Sequence, residues 1–267
     1  MLEVGKFFLG APYMAGTLET KRAEHLVINL RKFDCVTLVE NVVALARLVK
    51  PHIQNLRQPT SRSSGATSPV NPGTSRPDVA GSYAVGVKFR ERSFKAFRKS
   101  LRQIRYRQGQ LQGYPSRLHY FSDWIHDNEK KGIVKDVTAE IGGRPLRKAM
   151  NFMTAHSNLY PPLENSASLR RMKSIEKTIS RKTLFFIPKK ALRRLEDRIQ
   201  DGDLIAITTK TEGLDIQHVG LAAKVKSRVH LLHASSVEGK VVLFKKTLCR
   251  YLMQSQARSG IMVARVL

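Results

Sequence analysis

Four short apolar runs crowd the last third of the chain, and they restrict its fold more than any other part of the sequence. GDLIAITT (202–209), HVGLAAKV (218–225), VHLLHAS (229–235) and KVVLF (240–244) are each bounded by Gly, Asp or charged turn residues. They lie close enough together to pair as antiparallel strands. The segments before them have a different period. CVTLVENVVALARLVK (35–50) carries apolar residues at 38, 39, 42, 43, 45, 46 and 49, a helical spacing, with Asp34 as N-cap and Pro51 as the expected stop. SRLHYFSDWIHDNEKKG (116–132) reads as a turn feeding a helix that ends near Gly132, and residues 189–200 read as another, basic helix. Helices first and a meandering sheet afterwards predict an α+β architecture, with helices packed on an antiparallel sheet.

At 267 residues, 42% of them apolar, the chain can bury a proper core in one large domain. Residues 58–82, QPTSRSSGATSPVNPGTSRPDVAGS, are built almost wholly from Ser, Thr, Pro, Gly, Ala and Arg and read as a flexible low-complexity segment. Recognisable elements flank it, so it is expected to be an insertion within a single domain spanning 1–267. No internal repeat is visible.

The chain holds 47 Lys and Arg against 21 Asp and Glu, a formal net charge of +26, which favours anionic surroundings or partners. The excess is strongest in the middle, where residues 61–135 carry fifteen basic and five acidic side chains. Within it, KFRERSFKAFRKSLRQIRYR (88–107) reads as a short strand or turn leading into an amphipathic helix with a basic outer face. That face is a candidate grip for anionic polymers, or simply a solvated surface. No zinc finger or RNP signature accompanies it, so no specific nucleic acid is expected. The longest apolar stretch, Leu38 to Val49, is interrupted by Glu40, Asn41 and Arg47, and no transmembrane span is expected. The first ten residues, MLEVGKFFLG, lack the features of an export signal. Cys35 and Cys249 are too few for a disulfide framework or a four-thiolate zinc site. There is no HExxH and no phosphate-binding Gly-rich loop, so neither metal nor cofactor is expected.

Cys35 stands at the first turn of a helix, where the helix dipole is expected to lower a thiol pKa from about 8.5. His218, opening an apolar strand, is the candidate proton acceptor, and His233 in the next strand the candidate orienting partner. Each residue also has an ordinary structural reading, the Cys as a small core hydrophobe and the His residues as hydrogen-bonded strand positions. Iodoacetamide reactivity at neutral pH is expected to separate the two.

GAPYMAG (10–16), DCVTLVE (34–40), GDLIAI (202–207), HVGLA (218–222) and LLHAS (231–235) occur in the order of the motifs of the papain-like NlpC-type cysteine hydrolases of bacterial cell walls. More narrowly, PYMAGTLE, FDCVTLVENVVALARL, SRLHYFSDWI, GLDIQHVG and HLLHASS resemble the NlpC-related N-acetylmuramoyl-L-alanine amidase family, over most of the chain apart from 58–82. Val36-Thr37 stands after the cysteine where many peptidase members have Ser-Gly, which suits the amidase branch.

The resemblance implies a papain-like fold with the nucleophile at a helix N-terminus. It makes Cys35 the nucleophile, His218 the general base and later acid, and His233 the residue that orients His218. Tyr13 matches the tyrosine of the Pro-Tyr motif and is the expected second oxyanion donor beside the Cys35 N–H. Asp34 is expected either to touch substrate or merely to cap the helix. Arg117 and His119 belong to the amidase branch; Arg117 is expected to pair with a peptide carboxylate and His119 to line the cleft, or both to join a buried network around Trp124. The implied partners are peptidoglycan fragments or the wall itself, in the cell envelope or periplasm. Cys35 must then stay reduced, and no disulfide to Cys249 is expected. A D-glutamyl-diamino acid endopeptidase of the same fold and a non-catalytic anion-binding protein remain the rival readings.

Overall fold

In the computed structural model, which describes residues 1–19, 23–57 and 79–267, the strands build one eight-stranded antiparallel sheet. They are β1 (Val134–Asp136), β2 (Arg144–Leu146), β3 (Leu184–Pro188), β4 (Leu204–Thr209), β5 (Ile216–Val225), β6 (Arg228–Ser235), β7 (Lys240–Leu243) and β8 (Arg258–Val266). The order is β2-β3-β8-β4-β5-β6-β7, with β1 also paired to β8. The four runs read from the sequence are β4 to β7, a meander joined by short turns. The chain's last strand enters between β3 and β4 and becomes central.

Around the sheet lie α1 (Leu2–Lys6), α2 (Cys35–Arg57), α3 (Val79–Arg105), α4 (Phe121–Lys130), α5 (Thr138–Ile141), α6 (Phe152–Ala155), α7 (Ser166–Ser180), α8 (Leu192–Leu195) and α9 (Leu248–Met253). Both faces of the central strands are covered, which is why those strands read as continuous apolar runs and not as alternating ones. On one face Leu204, Ala206, Val219, Leu221, Leu232 and Ala234 pack with Leu38, Val39, Val42 and Val43 of α2. On the other, Ile205, Ile207, Ala222, Leu231, Ile261 and Val263 pack with Leu248 and Leu252 of α9.

A buried ion pair clamps α2 to its neighbours. Glu40 accepts from Arg105 Nε of α3 at 2.7 Å and from Trp124 Nε1 of α4 at 3.3 Å. Two carboxylates of the motifs turn out to be structural. Asp203 of GDLIAI holds Arg265 of β8 with two contacts of 2.8 Å. Asp215 of GLDIQHVG accepts from Ser122 N and Ile216 N, both at 2.7 Å, and so ties the start of α4 to the start of β5.

Several boundaries differ from the sequence reading. Helix α2 does not stop at Pro51 but runs to Arg57, since an internal proline removes a single backbone bond that the flanking turns can outlast. The segment from 88 is helical as far as Arg105, without a leading strand or turn, because α3 already begins at Val79, and Tyr106 then turns extended. Its basic face is not wholly outward, as Arg105 is turned in to meet Glu40. Residues 189–200 hold only the short α8 and a 3-10 turn (Glu196–Arg198), wound around the buried Glu196, which pairs with Arg193 and Arg228. Of the low-complexity stretch, 58–78 lies outside the described residues and 79–82 open α3.

Candidate active site

Helix α2 begins on Cys35 because Asp34 and Thr37 cap it reciprocally. Asp34 Oδ1 accepts from Thr37 N and from Thr37 Oγ1, both at 2.8 Å, while Asp34 N donates to Thr37 Oγ1 at 3.0 Å. The Val36-Thr37 departure from Ser-Gly thereby acquires a use, since Thr37 is the other half of the cap. The remaining Asp34 oxygen, Oδ2, accepts from Thr17 Oγ1 at 3.4 Å. The strap carrying the Pro-Tyr motif is pinned on both sides: Tyr13 N donates to Gly239 O at 2.8 Å, and Met14 N to Phe33 O at 2.9 Å. Tyr13 is therefore held beside the residues that lead into Cys35.

Cys35 is half-buried at the edge of the core, and the backbone N–H groups of Val219, Val36 and Cys35 itself act on its sulfur as donors. Those donors favour thiolate, but burial and the neighbouring Asp34 carboxylate outweigh them and push the thiol up to about 12. This reverses the lowered pKa expected from the helix dipole alone.

Strand pairing brings the two histidines together. His233 lies opposite Gly220 on β5, two residues from His218, and the rings meet with His218 Nε2 2.7 Å from His233 Nδ1, interplanar angle 90°. A side chain at 220 would block this, as an added Cβ would sit 2.6 Å from Leu232 O and 3.0 Å from His233 Cβ. His233 is fully buried, and burial with the nearby Arg258 guanidinium pushes it down to about 4. His218 falls to about 3, from burial first, then His233 and Arg258. Both rings are neutral at physiological pH. The contact leaves Nδ1 of His218 without a hydrogen-bond partner among the described residues. Cys35 and His218 make no direct hydrogen bond; Val219, the residue after His218, is one of the backbone groups that favour thiolate at Cys35.

The structure treats Arg117 and His119 differently. Arg117 is 5% exposed, with NH2 2.8 Å from Glu19 and Nε 3.7 Å from Glu24, and its guanidinium lies over the Tyr114 ring. Two carboxylates already occupy it, and their network runs through Tyr106 and Tyr114, not through Trp124, which belongs to the Glu40–Arg105 clamp. His119 bonds Tyr114 O through Nε2 at 2.9 Å, and burial with Arg117 pushes it down to about 3. Neither shares a contact with Cys35, His218 or His233.

Sequence reasoning missed Tyr251 and Arg258. Tyr251 of α9 sets its ring 5.3 Å from that of His233 and 6.1 Å from that of His218, and its phenol feels the Cys35 thiol. Arg258 Cζ lies 3.9 Å over the Tyr251 ring. No local signal marks either residue, because Tyr251 reaches the histidines only by the packing of α9 on β6, and Arg258 only by the return of β8. Cys249 is free and lies beside Glu196, and Cys35 is free as well. Among the described residues, no group of three or more His, Cys, Asp or Glu is arranged to hold a metal, and no helix is long and apolar enough to cross a membrane.

The comparisons agree with this geometry. A structure of an N-acetylmuramoyl-L-alanine amidase from Bacteroides uniformis is 35% identical, with a TM-score of 0.78, and the match covers 99% of this chain and 98% of that one. A Bacteroides fragilis structure that carries a provisional xylanase name is 36% identical at a TM-score of 0.77, covering 99% and 100%. A Legionella pneumophila structure, 21% identical at a TM-score of 0.62, shares the fold. No curated protein matches the sequence. The AmiA-like family, described as N-acetylmuramoyl-L-alanine amidase-like, matches residues 3–62 and 83–261. With both the family pattern and a relative of this identity spanning nearly the whole chain, the protein belongs to the N-acetylmuramoyl-L-alanine amidase-like family of hydrolases.

Proposed function

We propose that this chain is a cysteine-dependent amidase that cleaves the amide between the lactyl group of N-acetylmuramic acid and L-alanine, in peptidoglycan or in fragments released from it. The observation that carries the reading is the 2.7 Å His218–His233 contact between β5 and β6, the strands that pack against the helix opening on Cys35. For Nδ1 of His218 to accept a proton, Nε2 must carry one and donate it to His233 Nδ1. His233 thus holds both the tautomer and the ring orientation of His218.

Both partners rest neutral, so Cys35 transfers its proton to His218 Nδ1 as sulfur attacks the lactyl carbonyl. The tetrahedral oxyanion is met by the Cys35 N–H at the positive end of α2 and by the Tyr13 hydroxyl, which burial keeps protonated and therefore a donor. Collapse passes the proton from His218 to the departing L-alanyl nitrogen, leaving a thioester on Cys35 and releasing the peptide. Water activated by the same imidazole then hydrolyses the thioester. Arg117, paired with Glu19 and Glu24, serves this site by fixing the 10–19 strap that bears Tyr13. The whole chain acts as one catalytic domain in the cell envelope, where its basic surface faces anionic polymers.

Mass spectrometry of defined muropeptides incubated with the protein and with Cys35→Ala tests the reading. The expected products are intact stem peptide and peptide-free sugar, from the unmutated chain only. Cleavage inside the peptide would assign it as an endopeptidase, and the absence of any Cys35-dependent product would leave a binding protein.

A further inference from the structure

Behind the histidine pair lies a cavity of about 450 Å³ lined by His218, His233, Tyr251, Arg258, Phe244 and Glu238, among others. It contains a cation without a counterion. Arg258 forms no ion pair among the described residues; NH1 donates to the Tyr251 carbonyl oxygen, while Nε is buried and has no partner. Glu238, the only carboxylate lining the cavity, is exposed and does not reach it. The second orphan is Nε2 of His233, on a ring 2% exposed. When His233 accepts from His218 at Nδ1, this Nε2 carries the hydrogen, so the cavity holds two buried donors that no protein acceptor meets among the described residues. A guanidinium beside both imidazoles disfavours their protonation, a cost to a general base that an incoming anion would relieve.

Which part of the substrate meets this cavity follows from the reaction. His218 lines this cavity, and in the amidase reading the nitrogen it protonates belongs to the leaving L-alanyl peptide, which makes the peptide and not the sugar the neighbour of this space. We propose that the cavity is a carboxylate subsite for the stem peptide, with Arg258 as the residue that selects a free carboxylate beyond L-alanine and His233 Nε2–H as a second donor. The subsite rests on the amidase reading for the identity of its ligand. It predicts that stem peptides whose carboxylates have been amidated are poor substrates.

Calorimetry with the released product tests it apart from turnover. The probes are the L-alanyl-D-glutamyl-diamino acid tripeptide and the same tripeptide with its carboxylates amidated. The unmutated protein is expected to bind the acid about 10- to 100-fold more tightly than the amide, the range of a charge-assisted pair. Arg258→Gln is expected to bind both at the weaker level, and Arg258→Lys to recover part of the preference. Because Arg258 also holds the end of α9, the comparison of two peptides on the unmutated chain is decisive by itself. Equal binding of acid and amide there, or undiminished preference in a folded Arg258→Gln, overturns the subsite. Peptide release from a muramoyl-tripeptide by the unmutated chain is scored separately: release with no acid preference rejects the subsite alone, and acid preference without release rejects the amidase reading alone.

Discussion

His218 and His233 face one another across 2.7 Å with their basicities depressed, and this arrangement makes two statements about activity. Since the base must be neutral, kcat/KM is expected to stay level from pH 7 to about 5 and to fall only toward the His218 value of about 3. A pH profile of initial rates checks this; an acid limb centred near 6.5 would mean an imidazole as exposed as in a free peptide. His233→Ala is expected to lower kcat by about 10²- to 10⁴-fold, because the tautomer and orientation of the base are lost. His233→Gln, which retains an acceptor, should recover part of it. The sequence pointed to Cys35, His218 and His233 as candidates, because each lies within a short motif. It misjudged the acidity of Cys35, since the helix dipole is local and legible whereas desolvation depends on what the rest of the chain lays over the thiol.

At the level of elements, α2 is positioned by packing and by one buried charge. Glu40→Ala leaves Arg105 ionised at 2% side-chain exposure with only a backbone carbonyl for company, and is expected to cost about 3–5 kcal/mol in urea unfolding. Replacing both partners with apolar residues should cost less than the single change. Gly220→Ala is a sharper test of the strand that carries His218. The added Cβ would meet Leu232 O at 2.6 Å and His233 Cβ at 3.0 Å, so β5 and β6 must part or His233 must swing. The expected result is a loss of about 1–3 kcal/mol together with a drop in kcat resembling that of His233→Ala. Strands β4 to β7 were legible because Gly, Asp and charged turns join neighbours in sequence. Strand β8 was not, as its partners β1, β3 and β4 lie far back in the chain and no adjacent turn announces the pairing.

For the whole molecule, the same depressed histidines link stability to pH. An unfolded chain takes up protons on His218 and His233 near pH 6.5, whereas the folded protein holds these rings neutral down to about 3 and about 4. Between those values unfolding consumes protons, so stability is expected to fall as pH drops from 6.5 toward 4, by up to about 3 kcal/mol for the fully buried His233. Cys35 acts at the other end: its folded value of about 12 lies above the ordinary 9.0, so stability is lost as pH rises past 9. Urea midpoints across pH 4 to 10 would show a dome, and His233→Gln should flatten its acid side.

The sequence by itself determined the α+β class, the helix opening on Cys35, the meander bearing His218 and His233, and the family, because each is written in local period, turn chemistry or a short motif. Only the tertiary structure decided where charge is buried. Arg105 looked like part of a solvated basic face and became the partner of Glu40; Arg117 read either as an anchor for substrate or as part of a buried network and is held by Glu19 and Glu24; Arg258 drew no notice and stands beside the histidine pair. Burial is a sum over everything packed around a side chain, much of it distant in sequence, and no window of neighbouring residues contains that sum.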